Sequence, residues 1–412
     1  MRGAAGSFLE HAGDEPFCFS CGAPRWRVGM LRTPPGTVGI AGAGLLGRLL
    51  AWRLARAGCR VAVFDVANGP APLVRSQAPE GFIPTAAGFT AAGMLSPISE
   101  LDNAEPAVAA LGWRSLQLWP RIAHQLRASA LVSVRGSLLL AHRGDAGAAQ
   151  RVLDRLRAAM QTAVWQRLSP PAGMRALDPA ALQDMEPALH GAAQAWLLPG
   201  EGQVDTVAAM NALHAAAAQV RWHWRAAVAH CRAAGGRGEL VLADGSRHAF
   251  DAVVDARGVG ARPDLPVRGV RGEIVWLHCS AHGLQRPVRL LHPRHRVYLV
   301  PRTPDTVLVG ASEIESEDRS PVSLRTAVEL LAAAHSVMPA LAEARILKMD
   351  VNLRPALPDN NPLLDWEPGL LRINGLFRHG WLLAPALVEQ ALTRSGWGGG
   401  VPGAPDAERE AA

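Results

Sequence analysis

At 412 residues, 49% hydrophobic and 19% charged, the chain is long enough for more than one globular core and too apolar for a disordered one. No uncharged apolar run reaches the ~18 residues that a membrane helix needs. No basic segment leads into an apolar core and a small-residue cleavage site, so a cytoplasmic protein is expected. The net charge of +6 rests on arginines spread along the sequence, with Lys348 the one lysine; without a basic block or basic–aromatic alternation it does not mark a nucleic-acid surface.

Residues 1–36 read as an irregular leader. Its Cys18-x-x-Cys21 is half of a zinc ribbon, and no second pair answers it. The remaining cysteines, Cys59, Cys231 and Cys279, leave an odd, scattered set of five that argues against a disulfide framework. Met30, shortly before the first strand, offers an alternative start.

The stretch Thr37–Asp65, TVGIAGAGLLGRLLAWRLARAGCRVAVFD, carries the most chemistry. An apolar strand over Val38–Ala41 enters Gly42-x-Gly44-x-x-Gly47. A helix is expected over Leu45–Ala57, and a second strand over Val61–Phe64 ends at Asp65. Gly42 permits a tight turn, Gly44 lets the backbone approach a pyrophosphate, and Gly47 lets the helix lie close to the strand. The helix N-terminus offers unpaired N–H groups and the positive end of its dipole to phosphates. Asp65, 18 residues after Gly47, is placed to grip a ribose hydroxyl. An adenine dinucleotide, FAD or NAD, is the expected ligand.

Downstream, the small-residue run Ala86–Ser96 suits a loop laid against a ligand. Helical periodicity marks Ala107–Leu126, Asp145–Gln161, Thr206–Val220, Arg325–Ser336 and Trp381–Thr393. Strands are expected at Gly136–Ala141, at Glu239–Leu242 and Ala252–Asp255 with Asp244-Gly245 as the turn between them, and at Gly369–Asn374. Val297–Val300 and Thr306–Gly310 read as a hairpin around Pro304-Asp305. Leu177–Gly202 reads as irregular or short-stranded, and residues 395–412 as a disordered tail. There is no HExxH, no Walker-type GxxxxGK[ST], no G-x-S-x-G elbow and no third ligand for His278 and His282. No metal site is expected.

Four further blocks, AAGFTAAGMLSPISE (Ala86–Glu100), VRGVRGEIVWL (Val267–Leu277), YLVPRTPDTVLVGASE (Tyr298–Glu313) and the pair LRPALPDNNPLL (Leu353–Leu364) and GLFRHGWLLAPAL (Gly375–Leu387), stand in register with the glycine unit. Together they resemble the glycine oxidase branch of the D-amino-acid oxidase superfamily over residues 37–392. The resemblance implies FAD rather than NAD, and an α/β, Rossmann-like FAD-binding domain assembled from residues 37–100, 203–265 and 345–394. It also implies an inserted α+β substrate domain, residues 101–202 and 266–344, built on a mostly antiparallel sheet. The implied activity is oxidation of glycine or another small amino acid in the thiamine thiazole pathway. A D-amino-acid dehydrogenase passing electrons to a quinone, a tRNA-modifying flavin enzyme, and a flavin-binding protein without turnover are the alternatives; a homo-oligomer is compatible with each.

By position alone Arg354 is one more surface arginine; the resemblance implies that it pairs with the substrate carboxylate, which a guanidinium's two parallel donors match. Arg378 matches a second arginine near the substrate, and Tyr298, the only tyrosine, a pocket residue. The family carries asparagine where this chain has His379, a departure that bears on substrate identity; His379 reads either as a proton-transfer group near pH 7 or as a structural histidine. Arg268 and Arg271 read either as near the flavin or as part of the domain interface, with a structural role favoured. The implied FAD contacts are Gly42, Gly44, Leu45, Leu46, Gly47 and Asp65, then Ala92, Gly93 and Met94, then Val228 and Gly258, and lastly Gly380, Trp381 and Leu382 at a helix N-terminus facing the flavin's pyrimidine edge.

Overall fold

A computed structural model describes residues 34–72, 85–168, 173–291 and 296–397. The Cys18–Cys21 pair, Met30 and most of the expected tail lie outside these residues.

The glycine unit folds as expected. Apolar Thr37–Ala41 and Arg60–Asp65 pair in parallel around the helix Leu45–Arg56. They sit inside a six-stranded sheet ordered Leu363–Glu367, Leu370–Asn374, Ala252–Asp255, Thr37–Ala41, Arg60–Asp65, Arg221–Trp224, parallel except at the first pair. Its four central strands are near-continuously apolar and mostly buried, as the middle of a parallel sheet requires, while the edge strands Leu363–Glu367 and Arg221–Trp224 are partly exposed. On one face pack Leu45–Arg56, the helix Pro106–Gln125 and the C-terminal helix Gly380–Ser395; the last two meet through Trp119 and Trp381, whose rings stack at 5.3 Å.

The second sheet has eight strands, in the order Arg345–Ala356, Arg268–His278, Thr306–Gly310, Arg296–Thr303, Val288–Leu291, Ser137–Ala141, Gln194–Leu198, Arg175–Leu177, antiparallel except where Val288–Leu291 meets Ser137–Ala141. The fold is thus α/β with a mostly antiparallel second sheet.

Local details differ from the sequence reading. The Asp244-Gly245 turn joins Arg237–Leu242 to Arg247–Phe250, not to Ala252–Asp255. Ser246 donates from its N–H and Oγ to Asp244, at 2.9 and 2.7 Å, closing a tight turn with no room for a longer connection. Ala252–Asp255 runs instead between Thr37–Ala41 and Leu370–Asn374. Within Ala86–Ser96, Ala87–Thr90 forms a helical turn and Met94–Leu95 a short strand. Arg345–Ala356, which opens the segment 345–394 assigned to the FAD-binding domain, pairs along its length with Arg268–His278 of the second sheet. It therefore delivers Arg354 to the second sheet, a long-range pairing that no local pattern specifies.

Candidate active site

A cavity of about 1040 Å³ lies between the two sheets. At one end are Gly42, Gly44, Leu45, Leu46 and Asp65; at the other are Tyr298, Arg354 and Arg378.

The first end is set by backbone geometry. Gly42 has φ +100°, and a Cβ there would meet the Ala256 carbonyl oxygen at 2.5 Å. The helix Leu45–Arg56 starts at Gly44 with no side-chain cap and no acid in its first turn, so its N–H groups and dipole are left for an anion. Asp65 fixes the loop, its Oδ2 accepting from Ala43 N–H at 2.5 Å and its Oδ1 from Ala67 N–H at 2.7 Å. Arg48, 1% exposed, braces the loop from beneath by donating to the carbonyls of Ala43, Met210 and Pro70; burial pulls its pKa down to about 10, against the attraction of Asp65.

Ala92, Gly93 and Met94 line the middle of the cavity with Gly258. Arg302, from the second sheet, donates to the carbonyls of Ala92 and Val204 at 2.7 Å each and so ties this loop to the sheet. Gly380, Trp381 and Leu382 open the C-terminal helix onto the cavity, again with neither a side-chain cap nor a first-turn acid. The Trp381 indole N–H donates to Gly88 O at 3.0 Å and anchors that helix start.

Two expected cofactor contacts fall off the cavity wall. Gly47 lies beneath the loop, where a Cβ would come 1.8 Å from the Gly42 carbonyl oxygen; its role is the close helix–strand approach. Val228 belongs to the small sheet Val228–Ala234, Arg237–Leu242, Arg247–Phe250, and its carbonyl accepts from Arg257 at 3.0 Å.

The charged end collects side chains from distant elements. Arg354 donates from Nη1 to Arg271 O at 3.2 Å and from Nη2 to Ser312 O at 3.0 Å. Its guanidinium packs flat on Gly272, where a Cβ would lie 2.6 Å from Cζ. Among the described residues no carboxylate forms an ion pair with it. The Tyr298 ring lies over Gly310 in the same way. Burial pushes its hydroxyl pKa up, against Arg354 and Arg289, so it is a neutral phenol. Arg271 is held by Glu273 at 2.6 Å and Arg268 by Glu315 at 3.1 Å.

Two residues that sequence reasoning missed complete this end. Glu100 lies between Arg289, at 3.1 Å, and Arg378, at 2.9 Å, with His379 Nδ1 at 3.4 Å. Burial alone would raise its pKa; His379, Arg289 and Arg378 outweigh that and hold it at about 2. Glu100 closes the first resembling block, which was the available signal; Arg289 stands in no motif. His379, 6% exposed, is pushed down to about 4 by burial despite Glu100. It is neutral at pH 7 and occupies the N-cap position of the C-terminal helix, which favours its structural reading.

The arrangement fits a dinucleotide bearing a redox ring. A glycine cradle at a helix start with no acid in its first turn would receive a diphosphate, a second helix start meets the mid-cavity loop, and a guanidinium with no carboxylate ion pair among the described residues stands at the far end. The described residues contain no group of three or more potential metal ligands, and no described helix is long and apolar enough to cross a membrane.

Residues 37–391 match the family model described as FAD dependent oxidoreductase, DAO. A Rhizobium etli protein provisionally named thiamine biosynthesis oxidoreductase ThiO is 35% identical over 357 residues, 86% of this chain and 95% of its own length. The glycine oxidase of Geobacillus kaustophilus is 28% identical over 370 residues, 84% of this chain and 89% of its own. A crystal structure of glycine oxidase from Geobacillus kaustophilus superposes with a TM-score of 0.71 at 27% identity, covering 87% of this chain and 94% of that one.

Proposed function

The chain belongs to the family of FAD dependent oxidoreductases, and on that premise we propose that it oxidises glycine or a similarly small amino acid to the imine, with dioxygen reduced to hydrogen peroxide. The imine hydrolyses in water to the oxo acid and ammonia. The name of the Rhizobium etli relative, a thiamine biosynthesis oxidoreductase, supports a place for this product in thiamine biosynthesis.

FAD bound along the cavity supplies the two-electron acceptor that no side chain here provides. Gly42, Gly44 and the start of Leu45–Arg56 would hold its diphosphate, Asp65 its ribose, and Ala92–Met94 with Gly380–Leu382 its ring. Arg354 holds the substrate carboxylate through the N–H donors not taken by Arg271 and Ser312. Tyr298 walls the pocket beside it. Because Arg354 is fixed by two carbonyls and by contact with Gly272, the bound acid is oriented before reaction, which replaces an encounter by a placed contact.

The observation that carries this reading is Arg354, a guanidinium in a cavity with no carboxylate partner among the described residues. The test is the visible spectrum of the purified holoprotein before and after glycine, sarcosine and D-alanine, with peroxide measured in air. Bleaching with stoichiometric peroxide is expected for at least one of them. No bleaching by any of the three rejects the substrate, and bleaching followed by slow reoxidation in air points to a quinone acceptor instead.

A further inference from the structure

Ser96 is 2% exposed and lines the cavity. It stands at the N-cap of the helical turn Pro97–Glu100, where a serine hydroxyl ordinarily accepts from the N–H two or three residues on. Here it makes no capping bond. Ser99 N–H, which it would take, donates instead to Glu201 Oε1 at 2.9 Å, and the Ser99 hydroxyl donates to Glu201 Oε2 at 3.2 Å. Glu201 is fully buried and also accepts from the Ser137 hydroxyl. A carboxylate from the turn between Gln194–Leu198 and Gly202–Val204 thus does the capping, and the hydroxyl of Ser96 is released from it. That hydroxyl comes near Glu201 but completes no hydrogen bond with it or with any other described group. A buried hydroxyl without a partner weakens a fold, so its persistence on a cavity wall calls for a ligand.

Three other cavity-lining side chains among the described residues have a buried polar atom without a hydrogen bond: Arg289 and Arg378 at Nε, and Glu100 at Oε2. The two nitrogens can only donate. Glu100 Oε2 is engaged by Arg378 at 2.9 Å and by His379 at 3.4 Å. Ser96 is therefore the one of the four that offers a free acceptor. With its O–H turned back to Glu201, the oxygen lone pairs face the cavity. Its place is the charged end. Ser96 lies one helical turn before Glu100, and Arg289 ties this turn to the second sheet, reaching Ser99 O at 3.5 Å and Glu100 Oε1 at 3.1 Å. Arg289 is the direct cross-strand partner of Tyr298, and Tyr298 has Arg354 beside it.

We propose that Ser96 is the amine-binding residue of this site: its Oγ accepts an N–H of the bound amino acid while Arg354 holds the carboxylate. The inference deepens the amino-acid reading above and rests on it. A small substrate is then fixed at its nitrogen and at its carboxyl group, and the α-carbon between them keeps one orientation. Ser96 binds and positions; its hydroxyl proton stays towards Glu201, and no bond is made or broken there. An acid that lacks the amine is held by Arg354 alone.

The test compares the wild-type holoprotein with S96A. The first ligand is whichever of glycine, sarcosine and D-alanine bleaches the flavin, its dissociation constant read from the concentration dependence of anaerobic flavin reduction. The second is the matching acid without the amine, acetate for glycine or sarcosine and propionate for D-alanine, read as an inhibition constant. In S96A the amino acid is expected to bind about tenfold more weakly, and the plain acid within about twofold of wild type. The denaturant midpoint of S96A is expected not to fall, because the hydroxyl has no partner to lose; a purely structural serine would lower it. An unchanged constant for the amino acid overturns the proposal, and so does an equal weakening of both ligands. A wild-type flavin that none of the three amino acids bleaches overturns the amino-acid reading itself, and is seen before any variant is compared.

Discussion

Glu100 and Arg378 meet at 2.9 Å at the charged end of the cavity, joining the end of the helical turn Pro97–Glu100 to the segment that opens the C-terminal helix. The same carboxylate holds Arg289 from the second sheet at 3.1 Å, so one acidic residue ties three separated pieces of chain together. Replacing it leaves the largely buried Arg289 without an ion-pair partner among the described residues and Arg378 with only Glu313 at 3.5 Å, which is more costly than losing an exposed pair. Glu100→Ala is expected to lower the unfolding free energy by about 3 kcal/mol. A denaturant midpoint unchanged from wild type, at unchanged slope, would contradict this.

Arg354 is expected to act on the substrate and not on the cofactor. Arg354→Met removes a charged, two-pronged partner worth about 3 kcal/mol, so KM for the amino acid should rise about 100-fold while the flavin absorbance per protein stays constant. Arg354→Lys should recover little, because an ammonium lacks the planar pair of donors. An unchanged KM in the Met variant removes Arg354 from the site.

Gly47 predicts a cofactor defect from a residue that does not line the cavity. A methyl group there would sit 1.8 Å from the Gly42 carbonyl oxygen, and backbone atoms must move to admit it. Gly47→Ala should cost about 1–3 kcal/mol of overpacking and weaken FAD retention at least about tenfold. Flavin fluorescence released on dilution measures this, and wild-type retention would show that the loop accommodates the methyl.

His379 and Glu100 impose an ordered acid response. The His379 pKa lies at about 4 in the fold against an ordinary 6.5, so below pH 6.5 the unfolded chain binds a proton that the native state refuses, and stability falls as pH drops from 6.5 towards 4. The Glu100 pKa lies at about 2 against 4.5; its contribution is present above pH 4.5 and is lost as pH falls towards 2. Each group contributes a slope of up to roughly 1.4 kcal/mol per pH unit within its window. His379→Asn should flatten the upper window and narrow the lower one, because it also removes a charge that holds the Glu100 pKa down. Unfolding midpoints measured from pH 7 to pH 3 decide it; identical slopes between pH 6.5 and 4.5 would place His379 outside the titration.

Legibility in the sequence followed the range of the interactions. The glycine unit was readable because its turn, helix and strands are neighbours in the chain, and each glycine answers a contact within a few residues or a phosphate at a helix start. Arg354, Arg378 and Tyr298 were reached through the resemblance of the blocks around them, and all three line the cavity. The Asp244-Gly245 turn was readable, but its partner strand was not, because the nearer strand Arg247–Phe250 lacks a strong apolar pattern. Gly47 was placed with the cofactor by its position in the glycine motif and Val228 through the resemblance, and neither says which face of an element meets the cavity.

By itself, then, the sequence determined the dinucleotide half and its anion-receiving helix start, since local backbone sterics and strand periodicity decide those without help from the rest of the chain. Only the tertiary structure decided the charged end. Glu100 and Arg289 stand 189 positions apart, and what brings them together is the packing of one sheet against another, where desolvation leaves a buried charge no stable place except beside its opposite.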